Sequence, residues 1–357
     1  MLREIAGRAI GSGARVFTIA EIGLNHGGSV DRALEMVDAA AAAGASAIKL
    51  QTLVADELVA STCPAPAHVT ATSLRAFFAT YELDLDAHRA VIARARANRL
   101  AVLSTPFSER AVSMLELLGI DAFKIASGDL TYPGLITAAA RTGRPIILST
   151  GMSFLPEIVE SVASARLAGA DQIAVLHCVS AYPTPPECQN LRAIATLADA
   201  LQIPVGLSDH GTGLNAAIAA VALGACIYER HLVLDEDMTA IDRPVSSTPS
   251  ELGTIIRAMA QTRLALGDGR KIPQLAERPN VTSSRRGLYA NRPLQAGTRV
   301  EPGDLVALRP ASDFSPADLS ALLGSTLHCD VPAGSPIRAD YVAHPIRAVF
   351  AAHQRVA

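Results

Sequence analysis

Gly206-Leu207-Ser208-Asp209-His210 and Ile227-Tyr228-Glu229-Arg230-His231 are the two stretches on which the reading of this chain turns. Each lies in a short apolar run that reads as a buried strand, and each closes on a histidine. One amphipathic stretch, residues 214–223, lies between them, which makes them consecutive strands joined by a helix. In a closed parallel barrel that order places both imidazoles side by side on the rim where active sites form. Two imidazoles on a rigid rim make a clasp for a divalent ion with open coordination positions, such as Mn, Zn or Co.

Working outward, the same texture runs from Val16 to about Leu266. Strands are expected at 16–22, 47–51, 101–104, 123–126, 146–149, 173–178, 205–208 and 226–231. Amphipathic segments such as 30–43, 109–118 and 154–168 alternate with them. Several of these end at glycines (Gly44, Gly119, Gly143, Gly169, Gly224), where helices tend to stop. Near-continuous apolar strands alternating with helices imply a parallel sheet covered on both faces. Eight such units in roughly 250 residues predict an α/β fold of the (β/α)8, or TIM, barrel type. An open doubly wound sheet is the alternative, but no G-x-G-x-x-G follows the first strand. The crossover from Thr52 to about Asp84 is long and carries Pro64 and Pro66, as a lid or binding loop on the catalytic rim would.

After Leu266 the texture changes. The barrel is expected over 1–268, a polar linker over 269–284 and a small β-rich domain over 285–357. Within the last, 294–306 and 331–342 form a weak repeat: strand, Ala-Gly turn, strand, Asp-led turn.

With 357 residues, a formal net charge of −3 and no uninterrupted apolar run of about 18 residues, neither a nucleic-acid surface nor a membrane span is expected. The first fifteen residues hold no long apolar segment, so no secretory signal is expected either. Five cysteines without C-x-x-C spacing fit a reducing cytoplasm rather than a disulfide framework.

Every expected strand brings polar residues to its C-terminal end. Glu21 stands on the first, Lys49 and Gln51 share a face of the second by the period of two, and Thr105 follows the third. Lys124 lies in the fourth, with Ser127 and Asp129 after it; Ser149 ends the fifth and Ser208 the seventh. His177 and Tyr182 follow the sixth, and His210 and His231 cap the last two. Two inward lysines in an apolar barrel are costly unless they meet an anion. With the three serines they make a cradle for a phosphate and a carboxylate; the alternative is that each lysine snorkels out of the barrel or pairs with Glu21 or Asp129. His26 and His177 read as packed or loop-bonded rather than as ligands.

In order along the chain stand Ala20-Glu21-Ile22-Gly23-Leu24-Asn25-His26-Gly27, Ile48-Lys49-Leu50-Gln51-Thr52, Ser104-Thr105-Pro106-Phe107 and Lys124-Ile125-Ala126-Ser127-Gly128-Asp129. They are followed by Ser149-Thr150-Gly151-Met152, Leu176-His177-Cys178 with Tyr182-Pro183-Thr184-Pro185, Gly206 to His210, and Glu229-Arg230-His231 with Asp242. Together they resemble the sialic acid (N-acetylneuraminate) synthase family over nearly the whole chain. The terminal domain, including Leu308-Arg309-Pro310, resembles that family's SAF (antifreeze-like, β-clip) domain.

The resemblance implies condensation of phosphoenolpyruvate with the open-chain aldehyde of an N-acetylmannosamine-type sugar, with release of phosphate. It further implies a divalent metal, by family usage Mn with Mg, Co or Zn as substitutes, on His210 and His231. Lys49, Lys124, Ser127, Ser149 and Ser208 would hold phosphoenolpyruvate, and Glu21 and Asp129 would handle protons. Gln51, Thr105, Tyr182 and Asp242 would address the sugar, with Arg309 reaching it from the partner of a domain-swapped homodimer. Ser180 and Ala240-Ile241 depart from the N-acetylneuraminate pattern on the sugar side, and 243–248 looks closer to spore-coat or surface-polysaccharide members. An acceptor leading to legionaminic or pseudaminic acid is therefore an alternative. Two other classes stand beside this reading: a Schiff-base aldolase using Lys124, and a non-enzymatic glycan-binding barrel.

Overall fold

A computed structural model describes residues 2–11, 13–65, 71–235 and 239–343; Pro66 and the stretch 344–357 of the expected β-rich domain lie outside these. The chain divides into two compact units, Met1–Asp268 and Gly269–Ala357.

In the first unit eight strands form the barrel: β1 (Phe17–Gly23), β2 (Ala47–Thr52), β3 (Ala101–Pro106), β4 (Ala122–Ile125), β5 (Ile146–Ser149), β6 (Ile173–Cys178), β7 (Val205–Asp209) and β8 (Ile227–Leu232). Neighbours in sequence pair in parallel, and β8 pairs with both β7 and β1, closing the barrel. The expected (β/α)8 fold is the observed one, with helices such as Val30–Ala43, Glu109–Leu118 and Pro249–Leu266 outside. Their starts are set by side chains that accept the otherwise unpaired first-turn N–H groups. Ser29 caps Arg32, Ser108 caps Ala111, and Thr248 with Glu251 forms a reciprocal capping box. Each such cap is worth about 1 kcal/mol. The long crossover after β2 is not structureless: it contains the short helices Ala55–Leu58 and Leu74–Ala79.

Alternation along each strand divides the barrel into two cores. Ile48, Leu50, Phe123, Ile125, Leu148 and Val175 face the helix layer. Phe17, Ile19, Ala47, Ala101, Leu103, Ala122, Ile147, Ala174, Leu176 and Ile227 fill the lower interior. Leu2, Ile5 and Ile10 join that interior cluster from an N-terminal hairpin (Glu4–Ile5 with Arg8–Ala9). Gly206 sits in the same interior, where a Cβ would run into the Ile227 carbonyl oxygen and Leu176, so no larger residue fits without moving a strand. The apolar layers thus stop below the rim, and the polar strand ends begin above them.

The second unit has its own small core, including Leu288, Leu294, Val300, Phe314, Leu327 and Val331. One antiparallel ladder, Gly287–Ala290 with Leu305–Leu308, is joined by isolated bridges. The two repeat halves meet through Leu294 and Val331, and their matching turn glycines, Gly297 and Gly334, both take positive φ (86° and 79°). Where the repeat pattern predicted strands on both sides of each turn, most residues make single bridges instead, because so small a core cannot sustain longer ladders. The stretch read as linker includes the helix Arg278–Ser284. No described helix is long and apolar enough to cross a membrane, and all five cysteines are free thiols.

Candidate active site

At the C-terminal rim of the barrel lies a cavity of ≈ 460 Å³. Lys49, Gln51, Thr105, Lys124, Ser127, Ser149, Tyr182, Ser208, His210, His231 and Asp242 all line it. The alternation that fills the lower barrel with alanine and isoleucine turns the strand residues among them inward one layer higher, while Ser127, Tyr182 and Asp242 come from the turns and loops beyond the strands.

The two lysines are not unpaired. Lys49 Nζ forms an ion pair with Glu21 Oε2, lies 3.5 Å from Glu229 Oε1 and donates to Thr105 Oγ1 at 3.1 Å. Lys124 Nζ hydrogen-bonds Ser149 Oγ and lies 3.7 Å from the same Glu229 oxygen. Ser208 Oγ donates to Glu229 Oε1 at 3.0 Å, and Gln51 Nε2 donates to Glu21 Oε1 at 3.2 Å. Burial by itself disfavours the charged form of each of these groups. For Glu229 the two lysines outweigh burial and hold the carboxyl near 2. For Lys49 burial is outweighed by Glu21 and Glu229, which raise the ammonium; for Lys124 burial prevails and lowers it.

Glu229 is the residue the sequence reading overlooked. It lies two positions before His231 on β8 and therefore shares its inward face, the same argument that singled out Lys49 with Gln51. Its neighbour Arg230 points the other way, donating to Ser247 Oγ and the Gly211 carbonyl and pairing with Asp209 at 3.4 Å.

The two imidazoles stand side by side, with ring centroids 5.4 Å apart. Tyr182 lies over His210 at 4.2 Å and edge-on to His231 at 6.3 Å. His210 Nδ1 faces the Val179 carbonyl oxygen at 3.0 Å, and His231 Nδ1 faces Asp242 Oδ2 at 3.4 Å. His210 Nδ1 is thus engaged by a carbonyl, whereas His231 Nδ1 is buried and has the Asp242 carboxylate beside it without a completed hydrogen bond; in each ring Nε2 is the nitrogen that these neighbours do not face. Burial would lower the His231 imidazolium, but Asp242 and Glu21 outweigh it and raise it. Among the described residues no group of three or more His, Cys, Asp or Glu is arranged to hold a metal. The donor set is two neutral-capable nitrogens, which suits a divalent ion only if water and substrate oxygens complete its shell.

The remaining expected residues fall elsewhere. Asp129 does not line the cavity; it sits in a 3-10 turn (Ser127–Asp129) past the end of β4, where burial lifts its carboxyl to about 6. The turn redirects the chain, so the period of the strand no longer predicts where its side chains point. His177 bonds the Gln189 carbonyl oxygen at 2.8 Å, and His26 is fully buried with Nδ1 accepting from Gly28 N–H, both as packed histidines would be. Arg309 follows the strand Leu305–Leu308 in the second unit.

The barrel sequence matches the NeuB family model over residues 36–271, and residues 285–343 match that of the SAF domain. The chain is 36% identical to the N,N'-diacetyllegionaminic acid synthase of Campylobacter jejuni, over 87% of this chain and 95% of that protein. It is 33% identical to the enzyme of the same name from Legionella pneumophila, over 93% and 96%. Among solved structures it superimposes on the N-acetylneuraminic acid synthetase of Leptospira borgpetersenii in complex with citrate. That match has a TM-score of 0.71 at 33% identity and covers 78% of this chain and 94% of the other.

Proposed function

The chain belongs to the NeuB family, and on that premise we propose that it is a metal-dependent nonulosonic acid synthase. In this reading phosphoenolpyruvate and the open-chain aldehyde of an N-acylated mannosamine-type sugar are joined at carbon three of the enol. Water adds at carbon two, and the tetrahedral intermediate expels phosphate by breaking the carbon–oxygen bond. Sugar, phosphoenolpyruvate and water thus balance product and phosphate. The observation that carries the reading is the layer of Lys49 and Lys124 beside two imidazoles in one rim cavity.

Charge sharpens it. Lys49 and Lys124 are already matched by Glu21 and Glu229, and no arginine is among the described residues that line the cavity. A phosphate ester carrying a carboxylate needs further positive charge there. A divalent ion on His210 and His231, Mn by family resemblance, would supply it and polarise the aldehyde carbonyl as a Lewis acid. Lys124 and Ser149, with Ser127 and Ser208, would bind the phosphate and carboxylate, and Lys49 would share its charge between Glu21 and the substrate. Glu21, which is not itself among the residues lining the cavity but is hydrogen-bonded by Gln51, which is, would take a proton from water; Asp129, also off the wall, would act only through the loop after β4. Gln51, Thr105, Tyr182 and Asp242 would hold the sugar hydroxyls. The two relatives named for N,N'-diacetyllegionaminic acid favour a diacetamido sugar as acceptor, with N-acetylmannosamine and a pseudaminic acid precursor as the other candidates. Free thiols fit the proposed cytoplasmic location.

A panel of these amino sugars, given with phosphoenolpyruvate and Mn, tests the function directly. One sugar should release phosphate in equal amount with a product whose mass is that of sugar, phosphoenolpyruvate and water less the phosphate, and chelator should stop it. The aldolase reading draws on the burial that lowers Lys124. Its sign would be a borohydride-trapped pyruvate adduct on Lys124 without phosphate release, which would replace the synthase. Silence with every sugar would revive the glycan-binding barrel.

The proposed domain-swapped homodimer places Arg309 against the partner's sugar. Arg309→Ala should then raise the sugar KM about tenfold to a hundredfold, the worth of one charged hydrogen bond, and leave the phosphoenolpyruvate KM nearly unchanged. Equal changes in both would show that the second unit serves stability alone.

A further inference from the structure

Asp242 is presented to His231 by a clamp that the sugar-binding role does not require. Gly23, at a register shift in β1, has φ 54° and no side chain. A Cβ there would lie 3.1 Å from Asp242 Oδ2, 3.1 Å from Glu21 Oε1 and 3.3 Å from His231 Nδ1. The absent side chain is what lets the carboxylate and the imidazole approach each other. The loop bearing Asp242 is then tied down. Asn25, 2% exposed, accepts from the Asp242 backbone N–H at 3.0 Å and donates to the Leu232 carbonyl oxygen at 2.7 Å and Ser246 Oγ at 2.9 Å. Ser246 Oγ in turn donates to the Asp242 carbonyl oxygen at 2.7 Å, and Ser246 lies in register beside His231. Asn25 thus joins the loop after β1 to the end of β8 and to the loop that follows it.

We propose that Asp242 is a positioning residue for His231, its carboxylate facing Nδ1–H so that the unprotonated Nε2 is presented to the metal, and that Asn25 holds Asp242 in that place. A carboxylate behind a ligating histidine fixes the tautomer and ring orientation and raises the basicity of the other nitrogen. A rim built this way binds its ion through only two protein donors, so the orientation of each ring counts for more than in a fully enclosed site. The proposal rests on His210 and His231 being metal ligands.

The test is binding of Mn2+ to the full-length protein without either substrate, followed by the electron paramagnetic resonance signal of the free ion. Asp242→Asn should weaken Mn2+ binding about tenfold to a hundredfold, the usual consequence of losing such a partner. Asn25→Ala, which leaves Asp242 in the chain, should weaken it in the same direction by a smaller factor. Circular dichroism melting of both variants checks that the barrel persists, and where Asp242→Asn fails to fold the Asn25→Ala result decides. A carboxylate that serves only the sugar predicts a raised sugar KM with Mn2+ affinity equal to the parent's, and that result overturns the inference while leaving the metal site standing. A parent protein that takes up no Mn2+, Co2+ or Zn2+ overturns the metal site itself, and the inference with it.

Discussion

Replacing Glu229 by Gln is expected to destabilise the barrel by about 3–5 kcal/mol, because two buried ammonium groups then lose their shared counter-charge. Both lysines lie within 4 Å of its Oε1 and none of the three side chains is more than 6% exposed, so solvent screens the unpaired charges only weakly. For a unit of this size the melting temperature should fall on the order of 10 °C. Turnover should fall as well, since Lys49 and Lys124 would lose the arrangement that holds them toward phosphoenolpyruvate. The double variant Glu229→Gln with Lys124→Met separates the two effects. Removing charge on both sides of a buried pair is commonly neutral or stabilising, so the melting temperature should recover in large part while activity stays lost. A single variant that melts like the parent would show that solvent or a side-chain rearrangement compensates the lysines, and that Glu229 is not the keystone of the charge layer.

His210→Ala and His231→Ala should each lower kcat at least about a thousandfold, roughly 4 kcal/mol of barrier, if the imidazoles hold the ion that polarises the aldehyde. Chelator should then have little further effect on either variant. The two substitutions should not add, because removal of either ring opens the same site. Near-normal turnover with metal still bound would sink the clasp, and loss of activity with unchanged Mn2+ affinity would move the histidines from metal binding to proton transfer. Tyr182, stacked on His210, offers a control: Tyr182→Phe retains the ring contact and should leave metal affinity within a few-fold.

Much of this site could be read from spacing. Lys49, Gln51, Lys124, Ser149, Ser208, His210 and His231 all line the cavity, as the period of two along their strands required. Glu229 obeys the same period, two positions before His231, but it lies within the strand rather than at its C-terminal end, where the sequence directs attention for active-site residues. Glu21 and Asp129 are not among the residues that line the cavity. Asp129 lies beyond its strand in a 3-10 turn, where no short-range periodicity governs direction. In the second unit the repeat gave the turns, through Gly297 and Gly334, but not the strands, whose length depends on how much core a small unit can bury.

By itself the sequence determined the alternation of strand and helix, the barrel, and which side chains turn inward at the rim. Those follow from local covalent geometry and from the burial of apolar faces, both written in the order of residues. Only the tertiary structure decided which charges meet. Lys49 faces Glu21 across β1 and β2, Glu229 is shared by lysines from two different strands, and Asn25 brings Asp242 behind His231 over more than two hundred residues of chain. Such partners are chosen by strand register and barrel closure, and then enforced because a buried charge without one is too costly to keep.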